Sequence, residues 1–423
     1  MITWYKIVTY LFFPFSKFYL FYRKLKNKEH TTRYKEKLCN ITLQRGGGFL
    51  AWFHVASVGE AMSILPLVDK FIKDEQVNKI LITSITLSSG NILEKKFEQN
   101  SKVVHQFLPL DIDHLTNKFL EHWKPNLSVF IDSEIWPNLI LNISKKKIPL
   151  VLVNARITKK SFLRWKLVLN FAKNIFGKFD LCIASNKESE NFLEILGAKN
   201  IKNYGNIKFS NIKTDLNKKL EQNFINETKN RKIWCAASTH HDEEIICAKS
   251  HLKIKKNYNN ILTIIIPRHI NRIEKIKVKL LELNLKVILS SELSLLNNNT
   301  DILLVNSYGE ALKFYNISKY VFLGKSLIKS LIKDSGQNPI EPARLGCKIF
   351  HGPYVSNFAE TYIYLNKLGV TKEINNSDEL SLSLVEEFKK DKEKNQEIAV
   401  KIEKYGQNIL NNVIIELKKY INN

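Results

Sequence analysis

Glu60 is the first residue in this chain whose position suggests chemistry. It ends the small, glycine-containing segment 56–60, directly after the apolar run 49–55. A glutamate at a helix start often does no more than stabilise the helix dipole. The same position also suits a general base that removes a proton from a bound substrate. Glu60 is therefore a candidate catalytic residue.

A second acidic segment follows another apolar run. Asp132 and Glu134 lie in the segment 132–138, after the run 127–131. Such a segment is as typical of a helix N-cap with a turn as of a functional site. Both interpretations stay open on these residues alone.

The second half of the chain has cations and glycines after its apolar runs. Arg268 follows one run, Gly309 and Lys325 follow two others, and the segment 335–342 opens a helix. Backbone amides with a cation suit a phosphate, and a carboxylate at a helix start suits ribose hydroxyls. Glycine and proline also mark ordinary loops. Their coincidence at six predicted strand ends favours an anion-binding site.

Short apolar runs alternate with helix-length segments, which predicts parallel βαβ units. The runs form two series, so the predicted fold class is α/β, with two doubly wound domains around a cleft. The predicted strands are 49–55, 79–84, 127–131, 149–154, 181–185, 233–238, 262–267, 285–289, 302–306, 320–324 and 347–352. The predicted regions are an N-terminal segment 1–28, a first domain 29–205, a linker 206–231, and a second domain 232–423 whose last helix packs back.

Composition excludes several classes of protein. The 423 residues are 44% hydrophobic and 25% charged, which excludes a disordered basic tail or a fibre. A mean hydropathy of −0.20 excludes a polytopic membrane protein. The five cysteines form no C-x-x-C pair, which indicates a reducing compartment without a disulfide framework or a structural zinc. The net charge of +24 suits nucleic acid, an anionic membrane or a phosphorylated substrate, or is a drift in composition.

The N-terminus favours a membrane. Residues 7–20 are apolar and aromatic, interrupted by Pro14, Ser16 and Lys17, and basic residues follow at positions 23–28. The absence of a small-residue cleavage site indicates that the segment is retained. We expect it to span a membrane or to lie in the interface, with the basic flank on the cytoplasmic side. The alternative is a buried amphipathic first helix.

Five segments, in this order, resemble the 3-deoxy-D-manno-octulosonic acid (Kdo) transferases of lipopolysaccharide assembly. They are His54–Glu60, Asp132–Asn138, Val153–Arg156, Pro267–His269 and Asn338–Pro342. The resemblance covers nearly the whole chain. It implies the GT-B fold and inverting transfer of Kdo from CMP-Kdo to a lipid A precursor, lipid IVA. It also implies a location on the cytoplasmic face of the inner membrane, with no cofactor, metal or nucleic acid.

The resemblance also implies roles for individual residues. Glu60 is the expected base, and the acceptor side of the cleft is expected at Ser57, Gly59 and Glu134. The expected CMP-binding residues are Pro267, Arg268, Gly309, Glu310, Ala311, Ser335, Gly336, Gln337, Asn338 and Glu341. The chain departs from the family pattern at four positions, which are Asp132, Lys325, Ser335 and Gln337.

Other functions remain open at this stage. A basic nucleic-acid-binding protein would need a recognisable module, which the sequence lacks. A membrane-attached protein without catalysis would not need Glu60 or Arg268. A GT-B enzyme for another nucleotide sugar is the closer rival. The number of Kdo residues added, the oligomeric state and the choice between a spanning and an interfacial segment are not specified by these motifs.

Overall fold

The computed structural model describes residues 1–210, 222–329, 335–390 and 393–422. The chain forms two compact units, Met1–Ile212 with Tyr405–Asn423, and Lys213–Lys404. The predicted second domain ran to the end of the chain, whereas residues 405–423 cluster with the first unit. Residues 211–221 of the predicted linker 206–231 lie outside the described part.

The first unit contains a sheet of seven parallel strands in the order β3-β2-β1-β4-β5-β6-β7. Its strands are β1 Leu50–Val55, β2 Lys79–Ser84, β3 Val103–Phe107, β4 Leu127–Ile131, β5 Leu150–Ala155, β6 Leu181–Ala184 and β7 Ile201–Asn203. Every residue of β1, β4 and β5 is buried, as expected when helices cover both faces of a parallel sheet.

Eight helices accompany this sheet. They are α1 Ile2–Leu25, α2 Val58–Ile72, α3 Leu87–Phe97, α4 Asp113–Trp123, α5 Pro137–Lys145, α6 Lys159–Lys166, α7 Leu169–Phe176 and α8 Lys187–Ile195. The chain proceeds outward from β1 to β3 and then returns to place β4 on the other side of β1. Ligands of open α/β sheets bind at such a reversal, beyond the carboxyl ends of the strands. Glu60 follows β1, and Asp132 and Glu134 follow β4, so all three leave the sheet at this point.

The second unit has its own sheet of seven parallel strands, in the order β10-β11-β9-β8-β12-β13-β14. The strands are β8 Lys232–Thr239, β9 Ile261–Pro267, β10 Val287–Leu289, β11 Ile302–Leu304, β12 Tyr320–Leu323, β13 Lys348–His351 and β14 Thr371–Glu373. The helices that begin in this unit are α9 Gln222–Thr228, α10 Glu243–Lys255, α11 Ile273–Leu281, α12 Ala311–Ile317, α13 Ile340–Arg344, α14 Ala359–Lys367, α15 Ser377–Lys390 and α16 Gln396–Lys418, whose residues from Tyr405 onward belong to the first unit. Its reversal lies between β8 and β12.

All eleven predicted strands are present, with ends within two residues of the predicted ones. The sequence analysis missed β3, β7 and β14. β3 contains His105 and Gln106, and the other two strands are three residues long and mostly exposed. Each lies at or next to an outer edge of its sheet, where an apolar run is not required.

Helix α1 runs through Pro14 and is exposed along most of its length. Ser16 and Leu20 are its buried residues, while thirteen large hydrophobic side chains among residues 1–25 are exposed. The alternative of a buried first helix is therefore wrong. Among the described residues, no helix is both long and apolar enough to cross a bilayer.

Candidate active site

Glu60 is fixed at the start of α2 by reciprocal capping contacts. Ser57 is the N-cap, and its hydroxyl accepts a hydrogen bond from the Glu60 amide at 3.3 Å. The Glu60 carboxylate accepts from the Ser57 hydroxyl at 2.9 Å and from the Ala56 amide at 2.7 Å. The arrangement resembles a capping box, except that the carboxylate accepts from the amide of Ala56, the residue before the N-cap, and the Ser57 contacts do stabilise the start of the helix. The same contacts hold the carboxylate in one position beyond the end of β1.

The surroundings of Glu60 favour the protonated form. Burial raises the pKa of Glu60 to about 7, and the charges of Asp132 and Glu134 add to this effect. The hydrogen bonds from Ala56 and Ser57 act in the opposite direction. A base is most effective when its pKa lies near the working pH, so this carboxylate suits proton removal at neutral pH.

Asp132 is a buried carboxylate held by residues from two other segments. It accepts a hydrogen bond from the Asn154 amide and another from the Lys208 ammonium at 3.0 Å. Asn154 also accepts from the Ile207 amide at 3.0 Å, which ties the end of β5 to the segment that contains Lys208. The sequence analysis assigned no role to Asn154 or Lys208. Asn154 belongs to one of the five segments that resemble the family, whereas Lys208 belongs to no recognisable motif.

Glu134 is held by two rings. Trp136 Nε1 donates to Glu134 Oε2 at 2.9 Å, and the same oxygen lies 3.3 Å from His54 Nε2. His54 is fully buried on β1, and its Nδ1 lies 2.9 Å from the hydroxyl of Thr83. Because a carboxylate only accepts hydrogen bonds, the contact with Glu134 requires a proton on His54 Nε2. The contact between His54 and Glu134 was not predicted from the sequence either.

The segment 132–138 contains a turn at 132–133, but neither of its carboxylates caps the helix that follows. Helix α5 begins at Pro137, and its N-cap Trp136 makes no side-chain cap. Asp132 and Glu134 therefore do not cap this helix; both carboxylates are held at the carboxyl edge of the sheet near Glu60. Gly59 is exposed, and an added Cβ would meet nothing closer than the Ser57 hydroxyl at 4.0 Å. Open space therefore lies beside Gly59, the residue before Glu60.

In the second unit, a cavity of about 270 Å³ contains most of the predicted CMP-binding residues. Those that line it are Pro267, Arg268, Gly309, Glu310, Ala311, Gln337, Asn338 and Glu341. The remaining lining residues are Ser238, Ile266, Ser307, Tyr308, Tyr315 and Leu323. The cavity thus combines amides, hydroxyls, a guanidinium and carboxylates with apolar walls.

Ser335 and Gly336 do not line the cavity but fix the loop that does. The Ser335 hydroxyl lies 3.0 Å from that of Ser356, and the Gly336 amide donates to the Lys325 carbonyl at 2.6 Å. Gly336 has φ +87°, and an added Cβ would lie 2.9 Å from Val355 Cα. Glycine is required here for both reasons.

Glu243 organises the other side of this region. It is fully buried, and its carboxylate accepts from the amides of His240 at 2.9 Å and Lys325 at 2.6 Å. It also accepts from Ser326 at 2.9 Å and Leu327 at 3.0 Å. Burial raises its pKa, and these hydrogen bonds oppose the rise. The sequence analysis missed this residue, since an acidic residue at a helix start gave no sign of a contact 82 positions away.

Basic side chains gather around His240. Its ring lies 5.3 Å from that of His269, and burial, with Lys325, His269 and Arg268 nearby, lowers its pKa to about 4. His240 is therefore neutral at pH 7, while Lys325 and Arg268 provide positive charge for an anion. Burial raises the pKa of Glu341 at the cavity wall. Within the described ranges, no three His, Cys, Asp or Glu side chains are grouped so as to hold a metal ion.

The architecture defines the class of protein. Two parallel-sheet α/β units of this kind resemble the GT-B glycosyltransferases. Among solved structures, the UDP-GlcNAc 2-epimerase of Neisseria meningitidis has a similar fold, with a TM-score of 0.60 and 16% identity. That similarity covers 88% of this chain and 100% of the other.

Sequence comparisons give the family. Residues 24–211 match a family model described as 3-deoxy-D-manno-octulosonic-acid transferase (kdotransferase). The transferase of Rickettsia bellii is 35% identical, over 84% of this chain and 83% of that protein. The transferase of Haemophilus influenzae is 30% identical, over 82% of this chain and 81% of that protein. The chain belongs to the Kdo transferase family.

Proposed function

We propose that the protein transfers Kdo from CMP-Kdo to a lipid A precursor, lipid IVA, with inversion of configuration. The observation that carries the proposal is the position of Glu60. Its carboxylate is held at the carboxyl end of β1 by Ala56 and Ser57, with a pKa of about 7 and open space beside Gly59. A carboxylate in this state is suited to accept a proton from a sugar hydroxyl.

The reaction is a single displacement. The acceptor hydroxyl oxygen attacks the anomeric carbon of Kdo, and its proton passes to the carboxylate of Glu60. The bond from that carbon to the phosphate oxygen breaks, and CMP leaves with the electron pair. One base and no covalent intermediate give inversion, and Glu60 then releases the proton to solvent.

The leaving CMP is the ligand we assign to the cavity of the second unit. The positive charge of Arg268 and the amides of Gln337 and Asn338 at the cavity wall suit the phosphate, and the carboxylate of Glu341 suits the ribose hydroxyls. Lys325 adds a cation near His240. Charge that develops on the phosphate would be stabilised by these groups without a metal ion.

We also propose that α1 attaches the protein to the cytoplasmic face of the inner membrane. Its exposed rings include Trp4, Phe15 and Phe18, which are 71%, 68% and 76% exposed. Arg23 and Lys24 lie in the last turn of the helix. Aromatic rings with a basic flank are typical of helices that lie in the headgroup region of an anionic bilayer.

Mass spectrometry of the product tests the proposal directly. We expect lipid IVA with excess CMP-Kdo to gain one or more Kdo masses, and the spectrum also gives their number. An unmodified acceptor in detergent would contradict the proposal. Calorimetric titration distinguishes a CMP-linked donor from another nucleotide sugar. We expect CMP to bind more tightly than UMP or UDP.

A further inference from the structure

We infer that a surface on α6 is a second membrane contact, which acts with α1 to seat the catalytic edge of the first sheet on an anionic bilayer. We call it the α6 surface, and it consists of Lys159, Lys160, Leu163, Arg164, Lys166 and Leu167. The inference rests on the proposed function, because it supplies the route by which a lipid acceptor reaches Glu60.

Two leucines one helical turn apart are exposed on this surface. Leu163 is 52% exposed and Leu167 is 86% exposed, whereas Phe162 points into the core and stacks on Phe192. Residues four apart lie on the same helix face, so the leucines form one apolar ridge. Transfer of a leucine exposed to this degree from water into an apolar phase lowers the free energy.

The ridge is surrounded by positive charge. Lys159, Lys160, Arg164 and Lys166 are all exposed, and none of them pairs with a carboxylate of the described residues. From position 135 to position 179 the sequence has ten Lys and Arg and no Asp or Glu. Near an anionic leaflet, each such cation contributes about 1 kcal/mol of attraction. The charge therefore favours an anionic lipid surface as the occupant.

Two ring contacts connect helix α6 to α1. Trp165 of α6 stacks on Phe171 of α7 at 6.2 Å, and Phe171 contacts Tyr5 of α1 at 5.9 Å. The Tyr5 hydroxyl donates to Asp111 at 2.8 Å, and Asn138 donates to the Thr9 hydroxyl at 3.0 Å. These contacts hold the N-terminal turns of α1 against the body of the first unit.

All of these contacts lie at one edge of the first sheet. Asp111 follows β3, Asn138 follows β4, and α6 follows β5. Each segment therefore leaves the carboxyl end of a parallel strand, as Glu60 does after β1. A bilayer that contacts both α1 and the α6 surface would thus lie beside the edge that holds Glu60, where a lipid-linked acceptor is needed.

A fluorescent probe tests the contact at a single position. All five cysteines are buried, so an introduced surface cysteine can be labelled selectively. Leu167→Cys would be labelled with an environment-sensitive dye in the full chain, and the matched control is Leu382→Cys, on a leucine of α15 that is 64% exposed. With vesicles of phosphatidylethanolamine and phosphatidylglycerol, we expect a blue shift and quenching by lipid-borne quenchers at position 167 but not at 382. Equal, water-like emission at both positions with the protein bound to the vesicles would overturn the inference.

A charge variant tests the same surface independently. We expect the quadruple change K159Q/K160Q/R164Q/K166Q to weaken binding to these vesicles by at least about tenfold, since each cation near the surface contributes to attraction. K275Q/K277Q, on α11, is the control and should bind as the unchanged protein does. Unchanged binding of the quadruple variant at every salt concentration would contradict the inference.

Kdo transfer to lipid IVA dispersed in detergent does not require contact with a bilayer. This assay therefore tests the proposed reaction separately from the proposed membrane contact. We expect the quadruple variant to keep this activity while it loses transfer to acceptor in vesicles. If the quadruple variant loses transfer in detergent as well as in vesicles, the α6 surface does not act through membrane contact alone, which would contradict the inference. Failure of the unchanged protein in detergent would instead contradict the proposed function.

Discussion

Lys208 donates a hydrogen bond to Asp132 at 3.0 Å, although the two residues are 76 positions apart. Asp132 in turn raises the pKa of Glu60 through its negative charge. Because Lys208 pairs with the charge of Asp132, we expect it to limit the effect of Asp132 on Glu60.

The pH dependence of transfer follows from Glu60. The base must be ionised to accept a proton, and its pKa is raised from the ordinary range near 4.5 to about 7. We therefore expect kcat/KM to rise with pH through about 7 and then to level off. Initial rates between pH 5 and pH 9, roughly two units either side of that pKa, would check this. A profile that is flat down to pH 5 would show that Glu60 does not limit the rate.

Variants of the Asp132–Lys208 pair should move that profile in opposite directions. Asp132→Asn removes a like charge, so the pKa of Glu60 falls and the acid limb moves to lower pH. Lys208→Met leaves Asp132 without its cation, so the acid limb moves to higher pH. Lys199→Met, at an exposed lysine, is the control and should not move the limb. Shifts in the same direction for both variants would contradict the pairing.

Glu243 should matter for stability and for CMP binding. Glu243→Ala leaves four amides without their acceptor, three of them buried, which we expect to cost about 3 kcal/mol or more of unfolding free energy. Calorimetric titration should also show weaker CMP binding, because the loop at Lys325 loses its support. Glu274→Ala, at an exposed position on α11, should change unfolding by no more than about 0.5 kcal/mol. Equal denaturation midpoints for the two variants would contradict this account of Glu243.

Two glycines should respond differently to alanine. An added Cβ at Gly324 would lie 2.6 Å from Thr239 Cα and 2.7 Å from the Ser238 carbonyl, so we expect Gly324→Ala to cost about 1–3 kcal/mol. At Gly59, in the first turn of α2, the added Cβ meets open space, and alanine favours a helix by up to about 1 kcal/mol. The midpoint temperature of thermal unfolding should thus fall for Gly324→Ala and stay the same or rise for Gly59→Ala. If the acceptor occupies the space beside Gly59, Gly59→Ala also lowers kcat/KM for transfer, and an unchanged value would contradict that assignment.

The fold was largely predictable because its central strands are buried on both faces. Runs such as 127–131 and 262–267 are apolar apart from one buried hydroxyl residue each, Ser128 and Thr263, which is close to the pattern that such burial requires. β7 and β14 lie at the edges of their sheets and are short and mostly exposed, so their sequences contain no comparable run. Residues 7–20 were expected to form a membrane segment, but a helix that starts at Ile2 and continues through Pro14 was not predicted.

The site was predictable only where a residue stands in a local motif. Glu60, Arg268 and Glu341 follow strands or open helices, and such positions converge at the carboxyl edge of a parallel sheet. Lys208 and Glu243 act through contacts with distant segments, and nothing in their sequence neighbourhoods specifies those partners. Pairings of this kind depend on the tertiary fold, so they become visible only in the structure.

The proposed function depends on Glu60 as the base for Kdo transfer. The most direct measurement is the rate of Kdo transfer from CMP-Kdo to lipid IVA by Glu60→Gln, followed by mass spectrometry, with CMP affinity measured on the same sample by calorimetry. We predict a loss of about 10²–10⁴-fold in rate with CMP affinity unchanged, the range typical of a lost general base. Turnover within a few fold of the unchanged protein would contradict the assignment of Glu60.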